Sequence, residues 1–335
     1  MNDRLRQRVG ALLLLGLVAG SLLAGLHTGS YELTTAEIVD ILLGNEHPQT
    51  RVVLELRLPR SLLAILVGAI LSLGGFFMQA LIKNPLADPY IMGLTSGAGL
   101  GVNLVILGII PMVGLTAWTF PIAAALGGMA SLTLLAVLGF RAMYEDNARL
   151  LIAGVAVASI GTALTGILIY RFADTDQVRQ MVFWAFGSLG RADWQAVGVS
   201  SLLLLIGLGV GWWQGRRLDV LVMGDTQAMS LGLSVTRFKW LLLVLCSIVV
   251  GGSVAFTGPI GFVGMMIPHF TRALFGGNHR VNLILGALLG GSYLCWCDLL
   301  TRWVLPPAGV PIGIITAILG VPFFLYLLYS PRSQL

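Results

Sequence analysis

Ten apolar runs, most of them close to twenty residues long, dominate this chain. They cover about residues 9–26, 61–82, 91–110, 117–140, 150–170, 195–213, 240–257, 260–275, 282–303 and 311–329. A helix rises about 1.5 Å per residue, so ~20 apolar residues cross the hydrocarbon core of a bilayer. Inside that core every backbone N–H and C=O must be paired, which leaves helices or a closed barrel. The runs are continuous rather than alternating, so a barrel is excluded. The fold class predicted is an all-α polytopic membrane protein with about ten transmembrane helices.

Composition agrees. Hydrophobic residues make up 57% of the chain and charged residues 10%, against about 25% charged in soluble domains. A net charge of +5 does not point to nucleic acid, because the basic residues fall in short gaps between apolar runs rather than on one face. Those gaps give an orientation instead. Arg4, Arg6 and Arg8 precede the first run, which has a poorly defined cleavage site near Ala24-Gly25 and reads as a retained span with a cytoplasmic basic end. Ten spans then put 13 of the 20 Lys and Arg inside and 7 outside. Deleting the short eighth run gives 11 against 9, and the positive-inside rule prefers the larger asymmetry. Both termini are expected in the cytoplasm, and residues 1–335 are expected to form one domain. Cys246, Cys295 and Cys297 form no framework; residues two apart on a helix do not share a face, so Cys295 and Cys297 read as apolar packing residues.

The stretch from Arg57 to Gly101 carries the most specific pattern. Arg57-Leu58-Pro59-Arg60 opens it, Gly68-Ala69 and Gln79 lie within the apolar run, Asn84-Pro85-Leu86-Ala87-Asp88-Pro89 breaks it, and Gly93 to Gly97 begins the next. Pro85 and Pro89 stop the helix, and small residues let backbones approach closely in a membrane. Further on come Gly261-Phe262-Val263-Gly264, Ile267-Pro268-His269, Asn278-His279-Arg280 and Pro311-Ile312-Gly313 through Gly320. As a set these resemble the permease family of ABC importers for ferric siderophores, haem and cobalamin, over most of the chain. The resemblance implies a type II importer permease fold. Segments two to five and seven to ten are offset by five, an odd number, so any structural copies must be inverted.

No phosphate-binding loop is present. The only lysines, Lys83 and Lys239, do not follow glycine, whereas a P-loop needs Gly-Lys-Ser/Thr. The span interiors also lack the buried acid and histidine relays of proton-coupled carriers; Asp298 sits near the outer end of its run. A pump built on this chain takes its fuel from another chain. The expectation is therefore no catalytic residue, no metal site and no cofactor on this chain, with ATP and Mg on a partner ATPase. The segment 214–239 reads as a cytoplasmic loop with a short amphipathic helix, capped by Asp225 or Thr226 and ended by Gly232. Its residues alone leave open a docking helix or an ordinary solvated loop; the resemblance implies that it couples to the ATPase through Arg216, Arg217, Gly224, Asp225, Gln227, Ser230 and Gly232.

The resemblance implies two more sites. Arg57, Arg60 and Arg302 match arginines that receive acidic residues of a periplasmic binding protein, while their bare chemistry also allows interfacial snorkelling. Asn84 and Leu86 match inner-gate residues. The opposing position reads Glu145-Asp146-Asn147-Ala148-Arg149 where relatives carry hydroxyls, which makes Asn147 the gate candidate there. His27, His47, His269 and His279 read as isolated structural residues. The implied whole is the permease subunit of an ABC importer in the inner membrane: a homodimer in contact with lipid, two cytoplasmic ATPase subunits, one periplasmic binding protein and no nucleic acid. The cargo expected is an iron chelate, with cobalamin as alternative. A self-sufficient secondary transporter or channel is the alternative from another class.

Overall fold

A computed structural model of the chain describes residues 3–29, 31–111, 118–139, 147–306 and 309–329. All ten apolar runs appear as helices: α1 (Asp3–His27), α3 (Leu58–Ile82), α4 (Leu94–Ile106), α5 (Thr119–Gly139), α6 (Asn147–Phe172), α8 (Trp194–Val222), α10 (Val235–Thr257), α11 (Val263–Phe275), α12 (His279–Val304) and α13 (Ile312–Tyr329). Among the described residues, six of these are long and apolar enough to cross a membrane, and α4, α5 and α13 are shorter apolar helices. The chain is a multi-pass membrane protein. Three short helices join them: α2 (Thr35–Leu42), α7 (Thr175–Ala185) and α9 (Asp225–Ser230).

The centre of the bundle is α3. It packs against α1, α8, α10, α11 and α12, and its buried face includes Ile70, Leu73, Phe76, Phe77 and Leu81. Such all-round burial suits a helix that is apolar on every side. Backbones meet where glycines allow it. A Cβ added to Gly75 would lie 1.8 Å from the carbonyl oxygen of Gly264, and one on Gly68 2.2 Å from that of Gly290. Without a hydrophobic drive between helices in lipid, this close van der Waals contact is what holds them together.

Contacts fix the ends. Gln7 donates to the carbonyl of Phe275, His279 contacts Asp219, and Lys83 contacts Asp225. The starts of α1 and α12, the end of α3, and α9 therefore share one end of the molecule. His27, Arg57, Trp194 and Arg302 share the other, where the indole of Trp194 donates to the carbonyl of Leu54 at 3.0 Å. The two halves run in opposite senses: α3 descends to the Lys83 end and α10 rises from it. Each is followed by a connecting segment, which after α3 includes a 3-10 turn over Pro89–Met92, and then by a 13-residue helix, α4 or α11, entered through a residue in the left-handed region, Gly93 (φ 79°) or Phe262 (φ 70°). This is the inverted relation expected of the offset-by-five segments.

Two expectations need correction. Residues 214–239 are mostly helical. α8 continues without a break to Val222, because Gln214, Arg216, Arg217 and Leu218 favour helix as well as the apolar residues before them. The segment from 91 also does not begin as a straight span. Asn84–Pro89 turns back into the bundle, so that Pro89 lies against Gly74 and Gly264, about 12 Å from the end of α3 at one helical rise per residue. Only then does α4 start.

Candidate functional site

Three groups of predicted residues occupy the two ends of the bundle. At the first end, a wide π turn over Val52–Arg57 leads into α3, and Arg57 is buried there. Its guanidinium donates to the carbonyls of Leu26 (2.7 Å), His27 (3.2 Å) and Tyr31 (2.5 Å). Arg60 makes a two-pronged contact with Asp298, Nε to Oδ1 at 3.0 Å and Nη2 to Oδ1 at 2.8 Å. Arg302, one turn after Asp298 on α12, donates to the same carboxylate through Nε at 3.0 Å and Nη2, and to the carbonyls of Gly25 and Thr28, both at 3.2 Å. Asp298 is only 2% exposed; the side chains of Arg60 and Arg302 are 28% and 12% exposed. Arg60 and Arg302 thus share a single buried acid, and Arg57 and Arg302 both tie down the end of α1. Of the three, Arg60 presents the most surface.

At the opposite end lies the turn after α3. Lys83 terminates the helix in the left-handed region (φ 56°), and Pro85 disfavours helical backbone at Asn84. Asn84 is exposed; its side-chain oxygen accepts from the Leu86 N–H at 2.9 Å and its carbonyl from Ala87 at 3.0 Å. Leu86 is half-buried. Asn147 begins α6, but its side chain, like Glu145 and Asp146, lies outside the described residues.

Beside this turn sits the arm. Arg216 and Arg217 are exposed on the last turns of α8, with Arg217 donating to Gln214 at 3.0 Å. Gly224, at φ 124°, breaks the chain into α9, and Gly232, at φ 82°, follows it; both conformations favour glycine. Asp225 does not cap α9. It is the first helical residue, and its carboxylate accepts from Lys83 at 2.6 Å and Lys239 at 2.8 Å. Burial alone favours the neutral acid, yet the hydrogen bonds from Lys239 and Lys83 outweigh it and hold Asp225 below the ordinary carboxylate range. Gln227 and Ser230 are exposed, the Ser230 hydroxyl donating to the Gln227 carbonyl at 2.8 Å. Ala228 is buried beneath the arm, while Met229 and Leu231 are 58% and 65% exposed. A six-residue helix held from below with apolar side chains outward is shaped to meet a partner.

Other features were missed by sequence reasoning. A cavity of about 730 Å³ lies among α4, α6, α7, α13 and the turn before α11; Thr95, Ser96, Asn103, Thr162, Thr165 and Trp184 contribute to its wall. The polar residues set within two apolar runs, Thr95, Ser96 and Asn103 on α4 and Thr162 and Thr165 on α6, were its sequence signal. Arg272, a charge inside the eighth apolar run, is satisfied internally: it donates to the Gln79 side-chain oxygen and lies 5.8 Å from the Phe76 ring centre, while Gln79 donates to the carbonyl of Met265 at 3.1 Å. The histidines expected to be isolated have partners, among them Asp219, 2.6 Å from His279, and Phe323, stacked edge-on against His269. The three cysteines are buried and unpaired.

Residues 13–330 match the FecCD transport family. The chain is 41% identical to a hemin transport system permease of Yersinia pestis, over 84% of each protein. It is 37% identical to the Fe(3+) dicitrate transport system permease of Escherichia coli (strain K12), over 94% of this chain and 96% of that one. It is also 37% identical to a vitamin B12 import system permease of Klebsiella pneumoniae, over 84% and 83%. Among solved structures, a metal-chelate type ABC transporter in an inward-facing conformation matches with a TM-score of 0.84 and 30% identity, covering 95% of this chain and 98% of that one.

Proposed function

Because the chain belongs to the FecCD transport family, we propose that it is the permease subunit of a binding-protein-dependent ABC importer that carries an iron chelate, haem or a ferric siderophore, across the inner membrane by alternating access. The observation that carries the reading is the joint one of fold and arm: an inverted-repeat bundle like that of a metal-chelate transporter, with an outward-facing amphipathic helix fastened beside the turn that closes one end. In this reading the Asp225 end and both termini face the cytoplasm. Two ATPase subunits seat on Arg216, Arg217, Gly224, Asp225, Gln227, Ser230 and Gly232, and ATP and Mg reside on them rather than on this chain, which catalyses no reaction itself. Residues 1–335 act as one permease domain.

Asn84 and Leu86, with Asn147 opposite, gate the path. The exposed, largely apolar α6 is the seam to a second copy, lipid covering what remains. The hydroxyl-lined cavity supplies a polar but weakly binding wall, as a conduit that must release its cargo requires. At the other end a periplasmic binding protein docks its acidic side chains on the arginine cluster. Arg60 makes the contact most directly, while Arg57 and Arg302 hold the rim.

Cobalamin is the second reading, favoured by the identity to vitamin B12 permeases. The test is uptake into liposomes holding the chain with its ATPase and binding protein, offered haem, a ferric siderophore and cobalamin in competition. Uptake of an iron chelate suppressed by its unlabelled form, but not by cobalamin, supports the first reading. Preferential cobalamin uptake selects the second.

A further inference from the structure

The chain has two lysines, and both place their ammonium groups on one carboxylate. Lys83 Nζ lies 2.6 Å from Asp225 Oδ1, and Lys239 Nζ lies 2.8 Å from Asp225 Oδ2. Each comes from a different helix: Lys83 is the residue that ends α3, and Lys239 stands in the second turn of α10. The Lys239 side chain is 2% exposed, so this is not a solvated surface pair of little consequence. It is a buried cation held against the carboxylate of the first residue of α9.

A helix of six residues cannot hold its shape or place by itself. What fixes α9 is the buried Ala228, the chain on either side, and this double ion pair. The two bonds are short and charge-assisted, the strongest kind of hydrogen bond that side chains make. Their lengths leave little slack, so a shift of α9 by even one ångström must move Lys83 or break a bond. Lys83 is joined by one peptide link to Asn84, and the backbone there is already set by the left-handed φ of Lys83 and by Pro85. Lys239 stands inside the 23-residue α10, so its backbone is held by the helix on both sides.

We propose that Asp225 is a positioning residue that carries displacement of α9 to the Asn84–Leu86 turn through Lys83, with Lys239 as the fixed anchor. The proposal rests on reading α9 as the ATPase-coupling element and the turn as the gate. It adds the link between them.

The experiment uses the complete complex in liposomes, with iron-labelled haemin and labelled cyanocobalamin as cargoes, and measures uptake and ATP hydrolysis in the same sample. The variants are Asp225→Asn, Asp225→Glu, Lys83→Met and Lys83→Arg. Lys83→Met should lower uptake per ATP hydrolysed about five-fold or more, with the ATPase subunits still bound and hydrolysis still running; Asp225→Asn should lower the same ratio at least as far. Asp225→Glu and Lys83→Arg, which keep the charges, should recover most of the ratio. Should Asp225→Asn fail to assemble because the buried Lys239 loses the Asp225 charge, Lys83→Met keeps that pair and carries the test. An unchanged ratio in Lys83→Met overturns the proposal. So does a parallel loss of uptake and hydrolysis, which means a structural role only. A wild-type complex that takes up neither cargo overturns the functional reading itself, and so is distinguishable from failure of the link.

Discussion

Replacing Gly75 by alanine tests the packing on which the bundle depends. The added Cβ would lie 1.8 Å from the Gly264 carbonyl oxygen, and the obstacle is backbone rather than a side chain that can swing away. α3 and α11 must therefore separate by about 1 Å. A gap of that size forfeits up to about half of each atom-pair attraction of ~0.1–0.2 kcal/mol, and over some thirty pairs this amounts to roughly 2 kcal/mol. Gln79 bonds to the carbonyls of Gly264 and Met265 across the same contact, at 3.4 and 3.1 Å; weakening them adds about 1 kcal/mol. The total is about 3 kcal/mol. For chains of broadly this size 1 kcal/mol moves the melting temperature by about 2–4 °C, so a fall of roughly 6–12 °C is expected in detergent. Gly20, in α1, has nothing within 4 Å of its added Cβ, and Gly20→Ala should leave the melting temperature level or raise it slightly. The reasoning is refuted if Gly75→Ala and Gly20→Ala melt together.

Other perturbations follow from the ion pairs. Asp298→Asn leaves Arg60 and Arg302 beside each other without their shared counter-charge; because Arg60 is partly solvated, a loss of about 2–3 kcal/mol is expected, somewhat below that for a fully buried pair, and Arg60→Met in the same chain should recover part of it in thermal unfolding. At the other end, Asp225 is held below the ordinary carboxylate range, so its contribution is complete above that range and is lost only as pH falls through its own depressed value. Amide protection of α9, corrected for intrinsic exchange, should thus persist at about pH 4 and drop below it; loss already near pH 5 contradicts the assignment. Arg60→Glu should weaken binding-protein docking more than any conservative change at Arg57, measured as affinity at low salt.

The sequence made the helices legible because lipid imposes one rule on every span, and long apolar runs obey it visibly. It was less informative where helix and polarity part. α8 outruns its apolar stretch by nine residues through Gln214 to Val222, since arginine and glutamine favour helix without favouring lipid. α2 and α7 are polar on one side and carry no span signal, but their capping boxes, Thr34 with Glu37 and Asp174 with Gln177, were readable. The inward fold of Asn84–Pro89 could not be read, because proline says where a helix stops and not where the chain then goes. Candidate residues were named by type, but their contacts in the fold could not be read. The one hint was Asp298 standing four residues before Arg302, and the pairing of Lys83 with Asp225 spans 142 residues with no local trace.

The claim beneath all of this is that the work of transport is delivered from a separate ATPase to a chain that holds none of that chemistry. Reconstituting the purified chain alone, and then with its ATPase and binding protein, while recording ATP hydrolysis and cargo accumulation together, tests it most directly. The account predicts neither signal from the chain alone, under ATP or an imposed ion gradient, and both from the full complex. Accumulation by the chain alone, or hydrolysis without a partner, contradicts it.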